Sequence, residues 1–346
     1  MAEQHRRVFV FAHPRSGSHL FYQLLSGHPA YQSAHPSACF PVYHVGVDRQ
    51  ASLSPKAVRD ACGLDDDTVS KASWQNFLDN LQRSTLDAES KGKQLLAMDH
   101  PFHLMSSLFV NSHINVPGRT TWPTPVVVDH KFDVPTNSST LGAVENRELD
   151  LKLYSNPTLI PDRFFFSFTP IITIRHPAHA TPSAYRAFLS SGMGVDPSHP
   201  EFPVYTSYKW ERLVFDSFKS YGGVGKDGGQ AADATLPIVV DGEKLVKNPQ
   251  GQMKKVCDIL GLDEGGIRYN WDKPEIGKGT KAGDAFLKTL NESNGVVLDP
   301  KYNKPLDIET EEAEWVEEWD EDTAKVLRKK VQEAMEDYQY LLQYSV

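Results

Sequence analysis

The sequence of 346 residues contains few cysteines, no excess of basic charge and no long apolar run. Its three cysteines, Cys39, Cys62 and Cys257, lack the spacing of metal ligands, which favours reduced thiols in the cytosol over disulfides. The formal net charge of −9 argues against a nucleic-acid partner, which would require a basic stripe. No segment has the character of a transmembrane helix or a signal peptide. We therefore expect a cytoplasmic protein without a membrane or nucleic-acid partner.

Compact metal-ligand motifs are missing as well. Asp99, His100 and His103 lie close together in sequence and His113 follows, but they form no pattern such as H-E-x-x-H. We expect no metal site.

The composition favours a single domain. Hydrophobic residues make up 40% of the chain, which is enough for a full core, and we find no repeat and no clear linker, so one α/β domain over residues 1–346 is expected. Residues 102–158 are predicted to be an irregular insertion, either a substrate lid or a surface excursion. Residues 222–229 are predicted to form a surface loop, and residues 307–346 an acidic segment followed by a C-terminal helix.

The most informative stretch runs from residue 6 to residue 25. Residues 8–11 form an apolar run typical of a buried strand. Residues 13–18 contain Pro and Gly, which break regular structure. Apolar residues then recur at helical spacing, namely Leu20, Phe21, Leu24 and Leu25. The stretch predicts a strand, a tight loop and a helix in succession.

The loop between this strand and this helix has the chemistry of an anion site. Backbone N–H groups in such a loop point to a spot ahead of the helix N-terminus, where the helix dipole favours negative charge. Gly17 allows close approach, Ser16 and Ser18 add hydroxyl donors, and Arg15 adds a positive fork. The Lys-Ser/Thr pair of the common nucleotide loop is missing. The loop predicts phosphate or sulfate binding without Mg-ATP hydrolysis; an ordinary β–α turn is the alternative.

Two Asp-His pairs follow predicted strands and compete for the role of general base. Residues 94–98 are predicted to be a strand that leads to Asp99 and His100, and residues 126–128 another that leads to Asp129-His130. Ligands of α/β sheets bind outside the carboxyl ends of the strands. An imidazole near its ordinary pKa accepts a proton at neutral pH, which makes His100 the first candidate and His130 its rival. The alternative for His100 is a loop histidine bonded to backbone or to Asp99.

A further predicted strand, residues 170–174, also ends at a basic residue. Arg175 follows it directly, and Ser183 lies eight residues later, where we expect a helix to begin. A guanidinium and a hydroxyl in this position can hold a second phosphate. Two such sites at matching strand ends predict a ligand with two separated anionic groups.

Taken together, these motifs resemble the P-loop sulfotransferases that use 3′-phosphoadenosine 5′-phosphosulfate (PAPS). Residues 14–18 are similar to their 5′-phosphosulfate loop, P-[KR]-S-G-[ST], and residues 175–183 to their 3′-phosphate motif. Asp99-His100 lies where the family places its catalytic histidine, and residues 236–262 resemble its strand followed by a helix ending in Leu-Gly. The resemblance covers roughly residues 6–295 and favours a divergent branch frequent in fungi.

The resemblance implies a fold and a set of site residues. The implied fold is a P-loop NTPase-like three-layer α/β/α sandwich with a central parallel sheet. PAPS is implied as co-substrate and 3′-phosphoadenosine 5′-phosphate (PAP) as product. The implied donor-binding residues are Arg15, Ser16, Gly17, Ser18, His19, Leu20, Arg175 and Ser183. His100 is implied as the base, oriented by Asp99, and Arg15 as the group that stabilises the departing phosphate.

The sequence departs from the family pattern at several positions. Met98 stands where a lysine often precedes the catalytic histidine, Leu20 stands in place of a tryptophan that stacks on adenine, and His19 replaces a hydroxyl residue. Residues 278–283 only weakly match the family's late basic glycine motif. A PAPS- or PAP-binding homologue with altered catalysis, or another nucleotide-dependent transferase, is therefore the alternative function.

Aromatic residues favour a small apolar or aromatic molecule with a hydroxyl as the acceptor, although such residues belong in any core. The candidates are Tyr31, Phe40, Tyr43, Phe102 and Trp122. We also consider a homodimer as a candidate assembly.

Overall fold

The computed structural model describes residues 7–135, 155–222, 237–273, 279–298 and 305–346, which form one five-stranded sheet with helices around it. The strands are β1 (Arg7–Ala12), β2 (Tyr31–Ser33), β3 (Gln94–Asp99), β4 (Phe168–Ile174) and β5 (Ile238–Asp241). Their order in the sheet is β2-β3-β1-β4-β5, and all pairings between these strands are parallel. The strands predicted at residues 8–11, 94–98 and 170–174 are thus confirmed.

Helices occupy most of the connections between strands. Five lie between β1 and β3 in the chain: α1 (Ser18–Ser26), α2 (Phe40–Val45), α3 (Pro55–Cys62), α4 (Asp66–Lys71) and α5 (Trp74–Ser90). Between β3 and β5 lie α6 (Ser107–His113), α7 (Asp162–Phe165), α8 (Pro177–Ser191), α9 (Phe202–Thr206) and α10 (Lys209–Gly222). After β5 come α11 (Gly242–Lys247), α12 (Pro249–Leu260), α13 (Lys281–Glu292), α14 (Ile308–Glu318) and α15 (Glu321–Leu342). Short 3₁₀ helices span Pro101–Leu104 and Glu264–Gly266.

Strands β1, β3, β4 and β5 bury both of their faces. On β1, Phe9 and Phe11 join a hydrophobic cluster with α5, α8, α10 and α15, whereas Val8 and Val10 join a second cluster with α1 and α12. Parallel strands covered on both sides carry continuous apolar runs, which is the pattern seen at residues 8–11. The predicted three-layer α/β/α sandwich with a central parallel sheet is confirmed.

The C-terminal segment packs on this core. Helix α15 buries a stripe of side chains at helical spacing: Ala324, Leu327, Val331, Ala334, Tyr338 and Leu341. The acidic segment forms α14, in which Trp315 is fully buried. The predicted ends of α12 are also confirmed, since the Asn248 side chain caps its start and Gly261 ends it with a φ of 69°.

The strand predicted at residues 126–128 is wrong. These residues have no regular structure, and the side chain of Val126 is 90% exposed. The backbone N–H and C=O of Val128 bond to the side-chain amide of Gln75, so this backbone is satisfied by a helix side chain instead of a neighbouring strand.

Two boundaries also differ from the predictions. The insertion is not irregular throughout, because Ser106 caps the helix α6 within it. Helix α8 begins at Pro177, six residues before Ser183, because proline suits the first turn and His176 caps the helix. Residues 136–154 of the insertion and residues 223–229 of the predicted glycine-rich loop lie outside the described residues.

Among the helices that the structure describes, none is both long enough and apolar enough to cross a lipid bilayer.

We predict that Leu327→Ala lowers the free energy of unfolding by about 2–5 kcal/mol, because it leaves a cavity at a fully buried position between α15 and the core. Urea unfolding followed by circular dichroism measures the change. Lys329→Ala is the matched control, since the Lys329 side chain is 72% exposed and its removal should cost under about 0.5 kcal/mol. Equal effects of the two substitutions would contradict the packing of α15.

Candidate functional site

The predicted site residues leave the sheet at one edge. β1 pairs with β3 on one side, where Phe11 lies opposite Asp99, and with β4 on the other, where Ala12 lies opposite Thr173. The loop after β1, the Asp99-His100 pair and Arg175 therefore start from neighbouring positions at the carboxyl ends of the strands.

The loop after β1 is stabilised by hydrogen bonds of one of its own side chains, Ser16. The Ser16 hydroxyl lies 2.6 Å from the His13 carbonyl oxygen and 2.7 Å from Thr173 Oγ1, so it belongs to the loop's own support. Arg15 and Gly17 adopt left-handed backbone with φ values of 64° and 79°. This conformation is easy for glycine and strained for arginine, and it turns the chain sharply into α1.

The loop also approaches another turn too closely for a side chain. A Cβ on Gly242, at the start of α11, would lie 1.9 Å from the carbonyl oxygen of Ser16. Glycine at 242 therefore lets the loop pack directly against the end of β5. The sequence signal for this role was absent, because the close approach depends on the sheet order.

Helix α1 presents its N-terminus at the loop. The first helical hydrogen bond runs from the Phe21 N–H to the Gly17 carbonyl at 3.0 Å, so the amides of Ser18, His19 and Leu20 precede the helical ladder. Such amides, together with the helix dipole, favour an anion.

A cavity of about 480 Å³ opens over this N-terminus. Seven of the eight predicted donor-binding residues line it: Arg15, Ser16, Gly17, Ser18, His19, Leu20 and Arg175. Ser183 is the exception, since its hydroxyl instead accepts a hydrogen bond from Arg15 Nε at 3.1 Å. Arg175 Nη1 donates to the Arg15 carbonyl at 3.2 Å, and the Tyr208 hydroxyl donates to the Arg175 carbonyl. The two arginines are therefore linked through the loop backbone.

The sequence did not reveal the far wall of this cavity. Trp271 lines it together with Phe286 and Leu290 of α13, and the indole N–H of Trp271 donates to the Leu290 carbonyl at 3.3 Å. An aromatic face thus stands in the cavity that also contains Leu20, the position that lacks the expected tryptophan. A lone tryptophan outside any motif gave no signal of this role.

The weakly matched motif at residues 278–283 does not reach this cavity within the described residues 279–283. Lys281 lines a separate surface depression together with Lys56 and Gly192. Residue 278 lies outside the described residues.

A second, smaller cavity of about 210 Å³ adjoins the first. Arg15, Ser18, His19, Phe286 and Leu287 line both cavities. The rest of the second wall is mainly apolar, with a few polar groups: Pro14, Ser37, Phe40, Cys62, His100, His103, Ala184, Phe188, Met193, Tyr205, Thr280, Ala282 and Gly283. The two cavities therefore meet at the end of the loop after β1, residues 13–18, which we call the anion loop after its predicted role.

Of the five aromatic residues predicted near the acceptor, only Phe40 lines this second cavity. Tyr31, Tyr43 and Phe102 are core residues, and Trp122 packs against the guanidinium of Arg49 at 4.4 Å.

His100 faces the second cavity in a fixed tautomer. Its Nδ1 lies 2.6 Å from the Ala12 carbonyl oxygen, and because a carbonyl only accepts, this nitrogen carries the proton. The other nitrogen, Nε2, is then unprotonated. Burial, reinforced by His103, lowers the pKa of His100 to about 3 despite the opposing effects of Ala12 and Asp99. The ligand-free imidazole is neutral at pH 7, which is the form that a base requires.

The expectation that Asp99 orients the ring of His100 does not match the contacts in the structure. The Asp99 carboxylate accepts from the backbone N–H of Cys39 and of His100, both at 2.8 Å, and its Oδ1 lies 2.7 Å from His103 Nδ1. Asp99 therefore orients the ring of His103, whose Nε2 contacts His44 at 3.3 Å, while the Ala12 carbonyl orients His100. Burial raises the pKa of Asp99 to about 6.

His130, the rival base, lies away from both cavities. Its Nδ1 is 3.1 Å from Asp79 and 3.2 Å from the Gln75 amide, both on α5, and its side chain is 43% exposed. Asp129 pairs with Arg163 at 2.9 Å. His130 is absent from the walls of the two cavities, and the strand predicted to lead to it does not form.

His19 and Met98 are two further positions at which the sequence departs from the family pattern. Burial, followed by the charge of Arg15, lowers the pKa of His19 to about 4, so this ring enters the site neutral. Met98 is buried in the cluster of α1 and α12 and therefore contributes no polar group to either cavity.

Two curated proteins are similar to this chain. Sulfotransferase ppzF of Metarhizium majus (strain ARSEF 297) is 23% identical over 346 residues, covering 97% of this chain and 95% of that protein. Sulfotransferase ppzF of Metarhizium rileyi (strain RCEF 4871) is 25% identical over 192 residues, covering 54% of this chain and 55% of that protein. No family model matches the sequence. The first similarity spans nearly the whole chain, and the two similarities together support a relationship to fungal sulfotransferases.

Proposed function

We propose that this protein is a sulfotransferase that moves the sulfuryl group of PAPS to a hydroxyl of a small apolar or aromatic acceptor. The observation that carries the proposal is the meeting of two cavities at Arg15, Ser18 and His19, with the anion loop beside the first and His100 beside the second. A donor and an acceptor placed in these cavities approach each other at the end of the loop, where transfer requires them to be.

The first cavity suits a nucleotide with two anionic groups. Its volume of about 480 Å³ falls within the range of small-molecule sites. The amides at the start of α1 and Arg15 would bind the 5′-phosphosulfate, Arg175 would bind the 3′-phosphate, and Trp271 would stack on the adenine. Ser183 would act through Arg15, to which its hydroxyl is bonded.

The second cavity suits an apolar acceptor of limited size. An apolar cavity of about 150 Å³ is known to hold benzene. A volume of about 210 Å³ with Phe40, Phe188 and Phe286 in its wall therefore accommodates one substituted aromatic ring.

In the proposed reaction His100 Nε2 accepts the proton of the acceptor hydroxyl. A bond forms between the acceptor oxygen and sulfur while the bond from sulfur to the phosphate oxygen breaks, and PAP leaves with the electron pair. Arg15 and the loop amides stabilise the charge on the departing phosphate, which makes positioning and electrostatics the main contributions, as in phosphoryl transfer. Asp99 contributes by its negative charge near His100 and by holding the adjacent backbone.

We predict that His100→Ala lowers kcat by about 10²–10⁴-fold, because the general base is lost, and leaves the dissociation constant of PAP within about twofold. Sulfation of a panel of phenols and alcohols, together with calorimetry of PAP binding, measures both effects. His130→Ala is the control and should keep full activity, since His130 contacts α5 and lines neither cavity.

Loss of both transfer and PAP binding in His100→Ala would contradict the assigned role. PAP binding by the wild-type protein without sulfation of any acceptor would favour the alternative of a donor-binding homologue with altered catalysis. Stabilisation by Mg-ATP and not by PAP would favour another nucleotide-dependent transferase.

We predict that the His100 imidazole does not titrate between pH 8 and pH 5 in the ligand-free protein, because its pKa is about 3. Binding of PAP should move the titration midpoint upward, since added negative charge favours the imidazolium. The Cε1–H signal in NMR spectra, assigned by comparison with His100→Asn, follows the titration. A midpoint near the ordinary value of about 6.5 without ligand would contradict the buried, carbonyl-bound geometry.

We predict that Trp271→Ala weakens PAP binding by about 1–3 kcal/mol, the usual contribution of one aromatic stacking partner to a base. Trp271→Phe retains an aromatic face and should bind PAP within about threefold of wild type by calorimetry. PAP should quench tryptophan fluorescence in the wild-type protein but much less in Trp271→Phe. Unchanged affinity in Trp271→Ala would show that adenine lies elsewhere.

A further inference from the structure

A buried histidine stands between two carboxylates behind Arg175. His179 Nδ1 lies 2.5 Å from Glu243 Oε1, and its Nε2 lies 3.5 Å from Glu311 Oε1. The His179 side chain is only 7% exposed. An imidazole with a proton on each nitrogen can donate one hydrogen bond to Glu243 and another to Glu311.

Three separate parts of the chain build this cluster. His179 lies in the first turn of α8, directly after Arg175 and the end of β4. Glu243 follows Gly242, the residue that packs against the anion loop, and Glu311 belongs to the acidic helix α14. The cluster therefore connects the acidic C-terminal segment with the wall of the first cavity.

Glu243 is an unexpected neighbour for an anion site. Its Oε1, the oxygen bonded to His179, lies 4.0 Å from Arg175 Nε. Although burial alone would raise the pKa of Glu243, the hydrogen bond from His179 and the charges of His179 and Arg175 hold it below its ordinary value, so Glu243 is a carboxylate. A carboxylate this close to Arg175 competes with a phosphate for the same guanidinium.

We propose that His179 is a positioning residue that holds Glu243 away from full contact with Arg175 and so keeps Arg175 directed at the 3′-phosphate of the donor. Glu311 holds His179 in place from the other side. The inference rests on the proposed function, because it assigns the 3′-phosphate to Arg175.

The inference predicts an effect confined to one phosphate group. Without His179, Glu243 turns onto Arg175 and forms a closer ion pair, which the 3′-phosphate must then displace. The 5′-phosphate, held by the loop and the start of α1, is unaffected.

The test is His179→Leu, which removes both donors while keeping an apolar volume, measured with PAP and with adenosine 5′-phosphate, which lacks the 3′-phosphate. Calorimetry gives the ratio of the two affinities. We expect His179→Leu to reduce this ratio about tenfold while adenosine 5′-phosphate binds within about twofold of wild type. Adding Glu243→Gln should restore the ratio, because the competing charge is gone.

Equal loss of both nucleotides in His179→Leu, or an unchanged ratio, would overturn the inference, since a merely structural role does not distinguish the two ligands. If His179→Leu does not fold, Glu311→Gln should reduce the ratio in the same direction, and an unchanged ratio there would equally overturn it. A wild-type protein that does not prefer PAP to adenosine 5′-phosphate would overturn the proposed donor, and the inference with it. Wild-type preference that persists in His179→Leu would overturn the inference alone.

Discussion

Parallel pairing around β1 is the interaction on which the site depends. The register places Phe11 opposite Asp99 and Ala12 opposite Thr173, so three neighbouring strands end at one level. Backbone hydrogen bonds set that register, and a slip of one residue would turn each side chain to the opposite face of the sheet. The contact between Gly242 and the Ser16 carbonyl extends the same arrangement to β5. The anion loop is therefore fixed by its contacts with the ends of β4 and β5.

Features with a local physical cause were predictable from the sequence. The apolar runs at residues 8–11, 94–98 and 170–174 are continuous because these strands bury both faces, and that pattern survives without tertiary information. The turn after β1 was predictable because residues 13–18 place Pro and Gly between an apolar run and a helical pattern. The ends of α12 followed from Asn248 and Gly261 for a similarly local reason.

Features that depend on contacts between distant parts of the chain were not predictable from the sequence. Residues 126–128 have the composition of a strand, but the Gln75 side chain takes up the backbone groups of Val128. Two histidines follow Asp99 closely in the sequence. The 3₁₀ turn after β3 brings His103, four residues later, to the Asp99 carboxylate, whereas the ring of His100 bonds to the Ala12 carbonyl. The placement of Trp271 in the first cavity depends on its contact with Leu290 at the end of α13, and no motif includes either residue.

The distribution of charge explains how an acidic protein could bind the proposed anionic donor. With a net charge of −9, positive charge has to be concentrated locally, and the linked pair Arg15 and Arg175 does this at the loop. His19 and His100 enter the site neutral, with pKa values of about 4 and about 3, and so offer hydrogen-bonding groups without charge. In the proposed reaction the donor's negative charge raises both pKa values, so donor binding and the basicity of His100 increase together. The acceptor hydroxyl then meets an effective base only when the group that it attacks is already in place.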